Sequence, residues 1–119
     1  NNLIKTKTIM SLKEYTIRQE LIAKFANAFA HPARVAICQI LCEKTGLYFG
    51  EIQEKIPLSK ATVSQHIAVL KDAGLIVSED FPPRVKYSIE KENWETARTL
   101  LLSFYENCIQ NQARLSDKS

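Results

Sequence analysis

Between Pro57 and Val77 the chain spells out the start, buried face and stop of one short helix, and this constrains the fold more than any other feature. Proline pushes the residue before it out of helical dihedrals, so a preceding helix with Ile52 and Ile56 inward, from about Phe49, ends at Ile56. Ser59 is a good N-cap for the next helix. Val63, Ile67 and Leu70 then recur at helical spacing, and Gly74 suits the stop after Ala73. Two short helices joined by a turn of about three residues, the second capped and polar on one face, make a helix-turn-helix.

The flanks extend this unit. Ser11-Leu12-Lys13-Glu14 has the pattern of a capping box, and Ile17, Leu21, Phe25 and Phe29 follow at helical spacing to about Ala30. His31-Pro32 breaks that helix and starts another, with proline at its first position. The second helix runs to about Lys44, burying Val35, Ile37, Ile40 and Leu41. After Gly74, Leu75 to Ser78 and Arg84 to Ile89 read as two strands, joined by a stiff Glu79-Asp80-Phe81-Pro82-Pro83 connection; this pair is the wing. A last helix from about Asn93 to Arg114 carries Trp94, Ala97, Leu101, Phe104, Tyr105 and Cys108 on one side, with Leu100 and Leu102 widening it. The expected fold is mainly α with a small β-hairpin, a winged helix-turn-helix in the order α-α-α-α-β-β-α. It occupies one domain, 1–119, with the helix-turn-helix at about 49–73, the wing at about 75–89 and flanking helices at about 11–30 and 93–114.

At 119 residues the chain suffices for one core and not two. No stretch approaches the roughly 20 apolar residues of a membrane span. Asn1 to Met10 lacks the apolar centre of a signal peptide, so a cytoplasmic protein is expected. The net charge of +3 is too small to identify a nucleic-acid binder by itself. Placement says more: Lys55 to Lys71 contains no Asp or Glu, where a composition of 13 acids in 119 residues would place about two. There is no nucleophile–base motif and no glycine-rich phosphate loop, so no enzyme and no cofactor is expected.

Three runs together carry a family resemblance: His31-Pro32-Ala33-Arg34, then Leu58-Ser59-Lys60-Ala61-Thr62-Val63-Ser64-Gln65-His66-Ile67, then Val69-Leu70-Lys71-Asp72-Ala73-Gly74-Leu75-Ile76. From about Ala23 to Cys108 the chain resembles the ArsR/SmtB family of bacterial winged helix-turn-helix repressors. The resemblance implies a homodimer built by the first and last helices. It also implies release of the operator when an effector binds or a thiol is modified. Leu12, Trp94, Leu101, Phe104 and Tyr105 are the expected dimer residues, since so wide an apolar helix face is usually covered by an interface.

The N-terminal half of a recognition helix meets base edges in the major groove. Ser59, Lys60, Thr62, Ser64, Gln65 and His66 lie there. The Gln65 amide can pair with adenine in bidentate fashion, and Lys60 can read guanine or hold a phosphate. Ser59 and Thr62 suit phosphates, although Ser59 can equally serve only as a cap; His66 suits a backbone or phosphate bond rather than base readout. Arg84 and Lys86, two apart on one strand, face the same way and suit phosphate or minor-groove contact, or a plainly solvated face.

Many relatives bind metal through a cysteine pair near the third helix; here Leu47-Tyr48-Phe49-Gly50 offers no thiol, and Tyr48 and Phe49 suit apolar packing. A second family site uses Asp and His on the last helix, but Lys91 to Ser119 holds no histidine. No metal is expected. Cys38, Cys42 and Cys108 remain, as inert buried residues or as a thiol switch. Arg34, one turn before Cys38, is positioned to lower its pKa; Cys42, beside Glu43, is less favoured. Some thiol sensors of the family pair a cysteine of the second helix with one of the last. Three functional readings stay open. The first is an operator-binding homodimeric repressor on a palindromic duplex. The second is a thiol-responsive version of it. The third is a winged-helix module for protein–protein contact, against which the acid-free segment counts.

Overall fold

The computed structural model describes residues 14–117. Eight elements follow in order: α1 Ile17–Ala28, α2 Pro32–Glu43, β1 Leu47–Tyr48, α3 Phe49–Gln53, α4 Lys60–Asp72, β2 Ile76–Phe81, β3 Arg84–Ile89 and α5 Lys91–Asp117. The architecture is the expected mostly helical one with a small antiparallel sheet. Among the described residues no helix is long and apolar enough to cross a membrane.

α1 starts later than the sequence suggests. Thr16 is its N-cap: the hydroxyl accepts from the Gln19 amide at 3.0 Å and the Gln19 side chain accepts from the Thr16 amide at 2.9 Å. The expected Ser11 cap and Leu12 lie outside the described residues, and Glu14 to Thr16 are not helical. α2 begins as expected, with His31 as N-cap and Pro32 at the first position. The α3 helix is shorter than Phe49 to Ile56, because Glu54 to Ile56 leave it through tight turns.

The wing is larger than expected. β2 runs on through Phe81, so only Pro82-Pro83 makes the turn, joined by a cis peptide bond. Strand β1 was not expected at all. It pairs with β3 through Leu47 with Tyr87 and Tyr48 with Lys86, giving a three-stranded sheet in the order β1-β3-β2. α5 also extends past both expected ends, to Lys91 and Asp117.

The core gathers the inward faces of all these elements. Ile37, Ile52, Val63, Leu70 and Leu75 are fully buried, with Ile76, Leu41, Ile67, Phe25 and Ala97 close behind. Val35 is the exception to the α2 pattern, being exposed at the mouth of a cleft. A clasp then ties the end of α4 to the start of α5. Gly74 has φ +79°, and a Cβ there would stand 2.7 Å from Asn93 Nδ2, which donates to the Gly74 carbonyl at 2.8 Å. Trp94 Nε1 donates to the next carbonyl, Leu75, also at 2.8 Å.

Candidate nucleic-acid interface

Ser59 caps α4 as its sequence position suggests: its Oγ accepts from the Thr62 amide at 3.3 Å and lies 2.9 Å from Thr62 Oγ1. This uses part of the hydrogen-bonding capacity of both hydroxyls. The helix buries Val63, Ile67 and Leu70, which turns Lys60, Ser64 and Gln65 outward. Among the described residues these three side chains are unengaged.

Across from them stands the wing. An open groove of about 330 Å³ is lined by Lys60 and Ser64 of α4, by Pro83, Arg84 and Val85 of the hairpin, and by Tyr48, Phe49, Gly50 and Tyr87 beneath. The Arg84 guanidinium carbon lies 3.8 Å from the centroid of the Tyr48 ring. Lys86 Nζ lies 5.6 Å from the same ring and 5.3 Å from that of Phe81. The structure therefore brings Lys60 and Arg84 to one groove and sets Lys86 beside it, over the Tyr48 and Phe81 rings. Sequence reasoning missed Tyr48, which packs with cations rather than with the apolar core. Two acids adjoin this group. Glu79 of β2 stands opposite Lys86, and the Tyr48 amide donates to the Glu51 carboxylate at 3.0 Å and, with Lys44 and Arg84 nearby, holds the Glu51 pKa below the usual range.

His66 is placed differently from Gln65. It is half-buried against the start of α2, its ring 4.3 Å from that of His31, and Arg34 Nη1 lies 3.1 Å from its Nδ1. A guanidinium has no acceptor, so Nδ1 must accept and the ring proton sits on Nε2. Arg34 also donates to the Ala28 and Asn27 carbonyls, at 2.9 and 3.1 Å, and so closes the end of α1. Burial first, then His31 and Arg34, push the His66 pKa below its ordinary 6.5. As pH falls through 6.5 the unfolded chain takes up this proton before the folded one does, so stability falls and then levels off below the lowered pKa. Urea unfolding at pH 7.5 and 5.5 checks this. The parent loses midpoint at the lower pH and His66→Gln loses less; an equal loss in both rules the linkage out.

The thiols divide between the two expected readings. Cys38 is buried, and burial, with Cys42 adding to it, pushes its pKa up to about 12. Arg34, expected to activate it, is committed to the α1 carbonyls and His66 instead. Cys42 and Cys108 are exposed. Cys38 and Cys42 share an apolar cleft with Phe29, Val35, Gln39, Glu43 and Trp94.

Of the expected dimer residues, Trp94 and Leu101 lean on the domain's own core, and Trp94 packs on Phe29 with ring centroids 5.5 Å apart. Phe104 and Tyr105 face outward, together with Leu102, Ile109 and Leu115 of α5 and Tyr15 and Ile17 at the start of α1.

A helix-turn-helix domain family matches residues 29–79. The chain is similar to the HTH-type transcriptional regulator YgaV of Escherichia coli (strain K12), 37% identical over 61% of this chain and 74% of that one. Its fold is similar to the crystal structure of an ArsR family transcriptional regulator, with a TM-score of 0.67 and 23% identity over 82% of this chain and 95% of that chain. The transcriptional repressor BigR from Xylella fastidiosa has the same fold, with a TM-score of 0.58 and 23% identity over 73% and 89% of the two chains.

Proposed function

Because the chain belongs to the ArsR/SmtB family of winged helix-turn-helix transcriptional regulators, we propose that it acts as a homodimeric repressor, one domain per chain, on a palindromic duplex operator. The observation that carries this reading is the groove between α4 and the wing, where Lys60 and Ser64 face Arg84 with no acid on the helix side, and Gln65 is exposed on the same helix. A helix in the major groove needs outward hydrogen-bonders in its first half, and a flanking hairpin needs cations for the adjacent backbone. Gln65 reads a base, and Lys60, Arg84 and Lys86 neutralise phosphates. Ser59 and Thr62 fix register where their mutual bonds leave a lone pair or proton free. His66 serves by holding α4 against α2 through Arg34, with its Nε2 proton left for a phosphate.

Repression is supported by the fold shared with a protein described as a repressor. Two-fold symmetry places the half-sites about one helical turn, ~34 Å, apart. A gel shift against the promoter of its own operon tests the reading. Specific binding is expected at about 10⁻⁸ M or tighter and weakens steeply with salt. Gln65→Ala costs about 1–3 kcal/mol and relaxes preference at one operator position. Lys86→Ala weakens all sequences alike. Uniform losses from both substitutions remove the assignment of Gln65 to base readout, and no duplex preference in the parent turns the groove into a protein-docking surface.

A thiol signal is the second reading. The exposure of Cys42 and Cys108 favours these two over the buried, protonated Cys38. Peroxide treatment of the DNA complex tests it, since release that persists in both Cys42→Ser and Cys108→Ser removes it. Neither familiar metal site has its residues in this sequence, and the proposed regulator takes no metal.

A further inference from the structure

We propose that Tyr48 is the positioning residue of the wing: its ring holds the Arg84 guanidinium in the groove beside α4, ready for a DNA phosphate. This rests on the DNA-facing reading of that groove and adds to it a residue that contributes through another side chain.

The backbone fixes the ring from two sides. Tyr48 pairs with Lys86 in the β1–β3 register, which sets it against the strand that carries both wing cations. Leu47 before it is buried, so alternation along the strand turns Tyr48 to the opposite face. On its other side α3 starts at once, and Glu51 anchors the Tyr48 amide. The ring is thus anchored by sheet and helix together, whereas Arg84 begins β3 next to the hairpin turn and is exposed.

The contact suits its purpose. A guanidinium carbon 3.8 Å from a ring centroid is within face-contact range, and such cation–π contacts strengthen as water is excluded. Stacking spends none of the five N–H donors, and among the described residues Arg84 makes no side-chain hydrogen bond. The fork is therefore both located and free for a phosphate. Lys44, Glu51 and Lys86, with Glu79 and Asp80 on the paired strand β2, are the charged groups around this pair, and none offers a face for the guanidinium to stack on. An arginine free at the edge of a hairpin would have to be immobilised when DNA binds; here the ring has done so beforehand.

Two measurements test this on the full chain. In the absence of DNA, the Arg84 Nε–H resonance is shifted upfield by the ring in the parent and in Tyr48→Phe, and returns to an ordinary position in Tyr48→Leu. In the gel shift, Tyr48→Phe binds within about twofold of the parent, while Tyr48→Leu loses about 3–10-fold at low salt. Tyr48→Leu added to Arg84→Ala causes no further loss, because the ring acts through the guanidinium. The proposal is overturned if Tyr48→Leu leaves affinity unchanged, or if it weakens binding as much without Arg84 as with it, since the ring would then touch DNA itself. It is overturned equally by an unshifted Arg84 resonance in the parent. A parent that binds no DNA but shows the shift instead removes the DNA reading while leaving the stack intact.

Discussion

Leu70→Ala is expected to lower the unfolding free energy by about 2–5 kcal/mol, a large part of the ~5–15 kcal/mol that holds a domain of this size together. Leu70 has no exposed surface and lies one turn from Ile67 and two from Val63 on the face by which α4 joins the core. Truncation removes contacts on every side and leaves a cavity that the fully buried Ile37, Ile52 and Leu75 can fill only in part. Lys71→Ala, on the neighbouring exposed position, should stay within about 0.5 kcal/mol of the parent. Urea unfolding at one fixed protein concentration makes the comparison, because a dimer couples stability to concentration. A loss under about 1 kcal/mol for Leu70→Ala would mean that α4 is held by something other than this core.

Tyr105→Glu is expected to give the largest loss of function. Leu102, Tyr105 and Ile109 are 51%, 59% and 62% exposed and stand three and four residues apart on α5, one stripe of the helix. Ile17 and Tyr15, near the start of α1, add 69% and 73% exposure of their own. In an isologous interface each substitution appears twice, so one Glu per chain buries two like charges near the axis. Sedimentation at about 10 μM should show a dimer for the parent and a monomer for the variant. Operator affinity should fall at least about 100-fold, since the half-sites no longer bind as one unit. A monomeric parent removes the dimer altogether.

How far the sequence could foretell this structure depends on how local each signal is. The α4 helix was legible in full: Ser59, the Val63-Ile67-Leu70 spacing and Gly74 all act within one or two turns of the residues they govern. The wing cations were legible for the same reason, because Arg84 and Lys86 share a face by strand alternation alone. Strand β1 was not legible. Two residues carry no periodicity, and Leu47-Tyr48 is a strand only because Tyr87 and Lys86 lie beside it. The role of Tyr48 was hidden with it. Arg34 and His66, 32 positions apart, likewise meet only after α2 and α4 have packed. Trp94 was ambiguous for a related reason: a large aromatic at the edge of an apolar stripe suits a partner subunit or its own core equally well, and its bond to the Leu75 carbonyl forms only once α5 packs beside the end of α4. At the start of the chain two capping patterns compete, Ser11 with Glu14 and Thr16 with Gln19, and spacing alone does not rank them.

Trp94 is the only tryptophan in the chain, and its position makes it a native optical reporter. Its indole is anchored at the carbonyl just past the recognition helix, rests against Phe29 of the first helical pair, and walls the cleft that holds Cys38 and Cys42. Emission is sensitive to polarity around the ring and to quenching by a nearby thiolate or sulfur adduct. A change in the cleft and a tilt of the recognition helix must therefore both register in one unlabelled spectrum. Titrating operator and oxidant separately, then together, would show from that single band whether the two events communicate inside one subunit.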